Sequence, residues 1–94
     1  MTTYAAEVFV PGLTEVMARE LVARLRASAE RLVVRDSAVR FLGVTLILQD
    51  QALLCRWQCD SEEAVRAVHA LAGVDSGRLI RTVDIGADAA PDDL

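Results

Sequence analysis

The sequence predicts an α+β domain whose elements run strand, helix, strand, strand, helix, strand. Three observations carry that prediction. Apolar residues alternate with a period of two over residues 4–10 and again over 79–85. They recur at helical spacing over 15–32 and over the stretch that ends at Gly73. Between the helices, a long apolar run, a short polar reversal and a second apolar run read as a hairpin. The 94 residues suit one domain, assigned to 1–86, followed by an acidic, turn-rich tail at 87–94 that is expected to be disordered.

Each element has its local reason. In the first strand Tyr4, Ala6, Val8 and Val10 point one way, and Ala5, Glu7 and Phe9 the other. Pro11 and Gly12 end it, because proline removes a donor and glycine admits turn geometry. Thr14 suits an N-cap, and Glu15 the positive end of a helix dipole. The helix that follows carries a stripe of Met17, Leu21, Leu25 and Leu32, widened by Ala18, Val22 and Ala29. Glu20, Arg24, Ala27 and Arg31 fall on its watered side. Asp36 and Ser37 mark a turn. Residues 39–48 are apolar at both parities, which predicts a strand covered on both faces for much of its length. Gln49, Asp50 and Gln51 reverse the chain, and residues 52–59 return antiparallel. Asp60 followed by Glu63 has capping-box spacing for the second helix. Ala64, Val68, Leu71 and Ala72 make that helix's apolar face, and Gly73 is a natural stop.

This order is the ferredoxin-like arrangement, an antiparallel sheet with both helices on one face. The helices leave the other face bare, with Phe9 and one side of the hairpin upon it. An apolar fraction of 53% exceeds what so small a monomer hides, so a barrel-like or face-to-face homodimer is expected.

Composition removes several function classes. The net charge is −4, and Arg24, Arg26, Arg31, Arg35 and Arg40 are interleaved with acidic and apolar residues. Nucleic acid is therefore not an expected partner. The run "FLGVTLIL" is too short to span a bilayer, and no signal-peptide pattern opens the chain, so a cytoplasmic, reducing location is expected. There is no glycine-rich phosphate loop, HExxH or nucleophile elbow.

The stretch "ALLCRWQCD" holds both cysteines and the one tryptophan. On a regular strand Cys55 and Cys59 share a side but stand about 13 Å apart. A disulfide needs about 7 Å or less, and a shared metal needs each thiolate at about 2.3 Å. Neither fits. Leu53 and Trp57 share that side, while Ala52, Leu54, Arg56 and Gln58 take the other. Cys55 reads as a small buried hydrophobe and Cys59, at the strand end, as the more accessible thiol. His69 flanks the second helix's stripe and reads as a rim position, with pocket donor, general base or metal ligand as its alternatives. Glu7 suits an edge or salt-bridge role, with Arg40, Arg56 or Arg81 as partners. Enclosed by a dimer, it would suit metal binding or proton transfer.

Beyond these residue-level readings, the chain resembles the DUF4242 family, which includes small nickel-binding proteins of actinobacteria. The likeness runs over residues 4–83: "FVPG" after the first strand, the reversal at "QDQALLCRW", then "SEEAVRAVHALAG" and "GRLIRTV". The matching positions are Pro11, Gly12, Asp50, Cys55, Glu62, Glu63, Ala64, Val65, Arg66, Gly73, Arg78 and Val83. The resemblance implies a ferredoxin-like subunit that associates as a homodimer, and it raises nickel or another transition metal as a candidate ligand. Relatives often carry a histidine five residues before the glycine that matches Gly73. Here Val68 stands there and His69 is one position on. Val44, Thr45 and Leu46 stand where relatives can carry His or Ser, so no metal ligand is assigned. The sequence thus supports a homodimeric binding protein for a small molecule or nickel. Its alternative is a cofactor-independent enzyme (cyclase, isomerase or oxygenase) acting on an apolar molecule. That enzyme's pocket would draw on Phe9, Phe41, Cys55 and Trp57, with Glu7 and His69 as catalytic proton-transfer groups.

Overall fold

The computed structural model describes residues 2–33 and 39–88. Its elements are β1 (Thr2–Phe9), α1 (Glu15–Val33), β2 (Val39–Ile47), β3 (Ala52–Cys59), α2 (Glu62–Ala72) and β4 (Leu79–Thr82). The expected turn at Asp36 and Ser37, and residues 89–94 of the expected tail, lie outside the described residues. The strands form one sheet in the order β2-β3-β1-β4, and every neighbouring pair is antiparallel. This is the ferredoxin-like topology. The sheet stays open, with β2 and β4 as its edges.

Register places the core. Tyr4 stands opposite Trp57, Ala6 opposite Cys55 and Val8 opposite Leu53. These side chains form the helix-facing side of the sheet. There Ala6, Leu53, Cys55, Trp57 and Cys59 are fully buried with Leu25 of α1 and with Val65 and Val68 of α2. Burying each large apolar side chain is worth about 1.5–3 kcal/mol, so this one layer dominates folding.

The apolar run of β2 departs from expectation in a specific way. Phe41 pairs with Trp57, but it is Gly43, not Leu42, that pairs with Arg56. This β-bulge switches the parity of the strand at mid-length. Val39 and Phe41 before it, and Val44 and Leu46 after it, all lie opposite helix-facing residues of β3. The expected double-sided cover is therefore largely one apolar face with a one-residue shift in it. Gly43 has φ +121, a conformation open to glycine and little else, and a Cβ there would stand 3.2 Å from Arg56 Nη2.

Helix ends follow the sequence closely, with one exception. Thr14 Oγ1 accepts from the Met17 N–H at 3.1 Å, the expected cap of α1. For α2 the cap is Ser61, not Asp60: its Oγ accepts from the Ala64 N–H at 3.3 Å. Pairing of β3 persists through Cys59, so the chain leaves the sheet one residue later than the capping-box spacing implies. The buried stripe of α2 is Val65, Val68 and His69, with Ala72 half-buried. Leu71, expected on that face, is 38% exposed because it lies off the stripe. Strand β4 is shorter than expected, and Val83 and Ile85 beyond it are exposed.

Candidate functional site

Polar chemistry gathers in three places. The first is a buried pair in the core. Trp57 Nε1–H, held on β3, donates to His69 Nε2 of α2 at 3.0 Å. Phe41 packs on the same indole with ring centroids 4.7 Å apart, and His69 meets it edge-on at 5.6 Å. Because Nε2 accepts, a neutral His69 carries its proton on Nδ1. That nitrogen is buried without an acceptor at hydrogen-bond geometry. Burial holds the imidazole below its ordinary pKa of 6.5, and the nearby Val74 backbone opposes this without cancelling it. His69 is 1% exposed, which corrects the rim position expected from sequence.

The second place is the open face of the sheet. One row across it reads Gly43, Arg56, Ala5 and Ile80, and the next reads Thr45, Leu54 and Glu7. Arg56 is half-buried and lies against Gly43, toward the β2 edge, and its Nε is buried with no acceptor among the described residues. Glu7 is half-buried on the β4 side of the same face. Its backbone is fixed to the segment that leads into β4, donating to Arg78 O and accepting from Gly77 N–H at 2.9 Å each. Among the described residues the one ion pair is Arg19 with Glu15, so neither Glu7 nor Arg56 has an ionic partner among them. Phe9, at the end of the same face, is 63% exposed.

The third place is a cleft of about 410 Å³ between β1, α1 and the loop joining α2 to β4. Val8, Val10, Met17 and Leu21 line it, and Glu20, Arg24 and Asp75 stand with them. Its loop wall is pinned. Arg24 donates from Nε and Nη2 to Ala72 O at 3.1 and 2.7 Å, and from Nη2 to Gly73 O at 3.1 Å. The Val74 N–H bonds to His69 O at 2.9 Å. Across the same loop a shallower depression of about 290 Å³ reaches His69, Arg66 and Ser76.

The residues singled out from sequence divide between the two sides of the sheet. Phe41, Cys55, Trp57 and His69 meet in the packed layer beneath the helices, while Glu7 and Phe9 belong to the open face. Glu7 and His69 thus lie on opposite sides of the sheet. Cys55 is fully buried and its thiol is pushed up to about 12 by burial. Cys59, expected to be the more accessible thiol, is fully buried as well. Burial raises its pKa, the Ser61 backbone partly opposes this, and the charge of Asp60 adds to the rise; the protonated Sγ donates to Ser61 O at 3.3 Å. Both thiols are protonated and shielded near neutral pH, so neither is a nucleophile there. Among the described residues no three of His, Cys, Asp and Glu gather closely enough to hold a metal ion.

No protein-family model matches the chain, and neither does any curated protein. Among solved structures, the crystal structure of SCO4226 from Streptomyces coelicolor A3(2) is similar to it, with a TM-score of 0.70. The match covers 90% of this chain and 99% of that one, at 21% identity. The likeness is one of fold. It places the chain in the same general fold family as that protein. Among the described residues no helix is long and apolar enough to cross a membrane.

Sequence reasoning missed Arg24 and the burial of His69. Helical spacing puts Arg24 on the watered side of α1, yet it binds a helix end 48 residues away. No local pattern carries that contact. His69 did leave a trace, since it continues the spacing of Val65 and Val68.

Proposed function

We propose that this chain is a binding protein that works as a homodimer, two subunits meeting through their open sheet faces. The observation that supports this most is the self-complementary charge on that face. Arg56 leans toward the β2 edge and Glu7 lies toward β4, each half-buried and without an ionic partner among the described residues. A two-fold axis running along the strands exchanges the two flanks, which brings Arg56 diagonally across from the partner's Glu7, one row or about 7 Å along the strands and within reach of the long arginine side chain. Leu54, Ile80 and Phe9 supply apolar surface around these pairs.

The resemblance to DUF4242 brings nickel into consideration. The residues present do not fit it within one chain, because no ligand cluster forms among the described residues and His69 Nε2 is committed to Trp57. The ligand that suits this reading is a small organic molecule.

Native mass spectrometry and size-exclusion chromatography of charge-reversed variants test the pairing. Wild type is expected as a dimer. Arg56→Glu and Glu7→Arg should each weaken it by about tenfold or more, because each sets like charges together. The combined variant should restore association. A monomeric wild type, or a double variant no better than the singles, sinks the reading.

A further inference from the structure

We propose that the cleft between α1 and the α2–β4 loop binds a small amphipathic amine, with its apolar body inside and its ammonium group at the rim. This rests on the reading of the chain as a binding protein and names the class of its ligand. The cavity, about 410 Å³, has the size of a small-molecule site, and Val8, Met17 and Leu21 give it an apolar wall.

The rim decides the sign of the ligand. Glu20 and Arg24 stand four residues apart on α1, the spacing at which a glutamate and an arginine commonly pair. Here Arg24 turns instead to the carbonyls of Ala72 and Gly73. Glu20 is thereby left with no ion pair among the described residues, and Asp75 on the facing loop has none either. About half of the guanidinium charge is offset where it lies, because the C-terminus of α2 carries about −0.5 of an elementary charge, and the two carboxylates outweigh the remainder. Two exposed carboxylates thus border an apolar cavity, and the net charge of −4 adds to the same field. An anionic ligand is repelled, a neutral one gains apolar contact alone, and an ammonium gains both terms.

Titration calorimetry near neutral pH and at low salt, with n-hexylamine, n-hexanol and n-hexanoate, separates these cases. The amine is expected to bind at least about tenfold tighter than the alcohol, and the carboxylate more weakly than either. Glu20→Gln combined with Asp75→Asn should erase the preference for the amine and leave hexanol affinity unchanged. Both positions are exposed, and the emission of Trp57 in the core reports whether the variant stays folded. Equal affinity for amine and alcohol, a preference for hexanoate, or an amine preference that survives the double variant overturns the ligand class or its placement. Those outcomes leave the binding-protein reading standing. Binding of none of the three probes overturns the inference and removes its support from that reading too.

Discussion

His69 governs how the fold responds to acid. Its Nε2 accepts the Trp57 N–H, which only the unprotonated ring can do. The folded protein therefore holds the imidazole below 6.5, while the unfolded chain titrates near that value. Below 6.5 the unfolded state binds the proton first. Stability is thus full above 6.5 and declines as pH falls from there toward the lowered folded value. Urea unfolding followed by Trp57 fluorescence should show that decline. His69→Phe should flatten it, and should cost about 1–3 kcal/mol at neutral pH by leaving the indole N–H buried without an acceptor. An unchanged pH slope in the variant would assign the acid response to other groups. Cys55 works in the opposite direction. Its raised pKa means stability that is full below 9.0 and lost as pH climbs toward about 12.

At the scale of the element, the end of α2 depends on a glycine and an arginine acting together. Gly73 sits at φ +67, and a Cβ there would stand 3.0 Å from Arg24 Nη2. Gly73→Ala therefore meets two costs, about 1–2 kcal/mol for the left-handed backbone and the displacement of Arg24 from the carbonyls it caps. Arg24→Ala removes those bonds alone. Because the variants share one contact, the double variant should be less destabilised than the sum of the singles by about 0.5 kcal/mol or more. Strict additivity in chemical denaturation would show that the close approach carries no energy. This element also marks how far local sequence reaches. Gly73 was legible as a helix stop, since the left-handed cap is a local matter of backbone sterics. Its partner was not, because the bonds of Arg24 exist only once two helices pack. The bulge in β2 divides likewise. Gly43 inside an apolar run is a local signal of irregularity, but which side each flanking residue takes depends on the register with β3.

For the molecule as a whole, the bare sheet face is the feature that monomer stability does not explain. Phe9 is 63% exposed upon it and belongs to no core cluster. Phe9→Asp should therefore leave the stability of the isolated subunit within about 0.5 kcal/mol. It should weaken self-association by about tenfold or more. Analytical ultracentrifugation across a dilution series reads the second effect, and urea unfolding at low concentration the first. A variant that dimerises as wild type does would move the interface away from this face. The candidate cleft belongs to this scale as well. Its walls come from β1, α1 and the α2–β4 loop, and only packing brings them together.

The sequence by itself determined the order of the elements, the ferredoxin-like class, the face shared by Leu53, Cys55, Trp57 and Cys59, and the glycine that ends α2. These follow from periodicity and backbone sterics, which act over a few residues and can be read along the chain. Tertiary structure alone decided that His69 joins Trp57 in the core, that Arg24 caps a distant helix, and that Glu7 and His69 stand on opposite sides of the sheet. Those outcomes depend on register and on the packing of helices over strands. Both are properties of pairs of segments, and no single segment carries them in its own pattern.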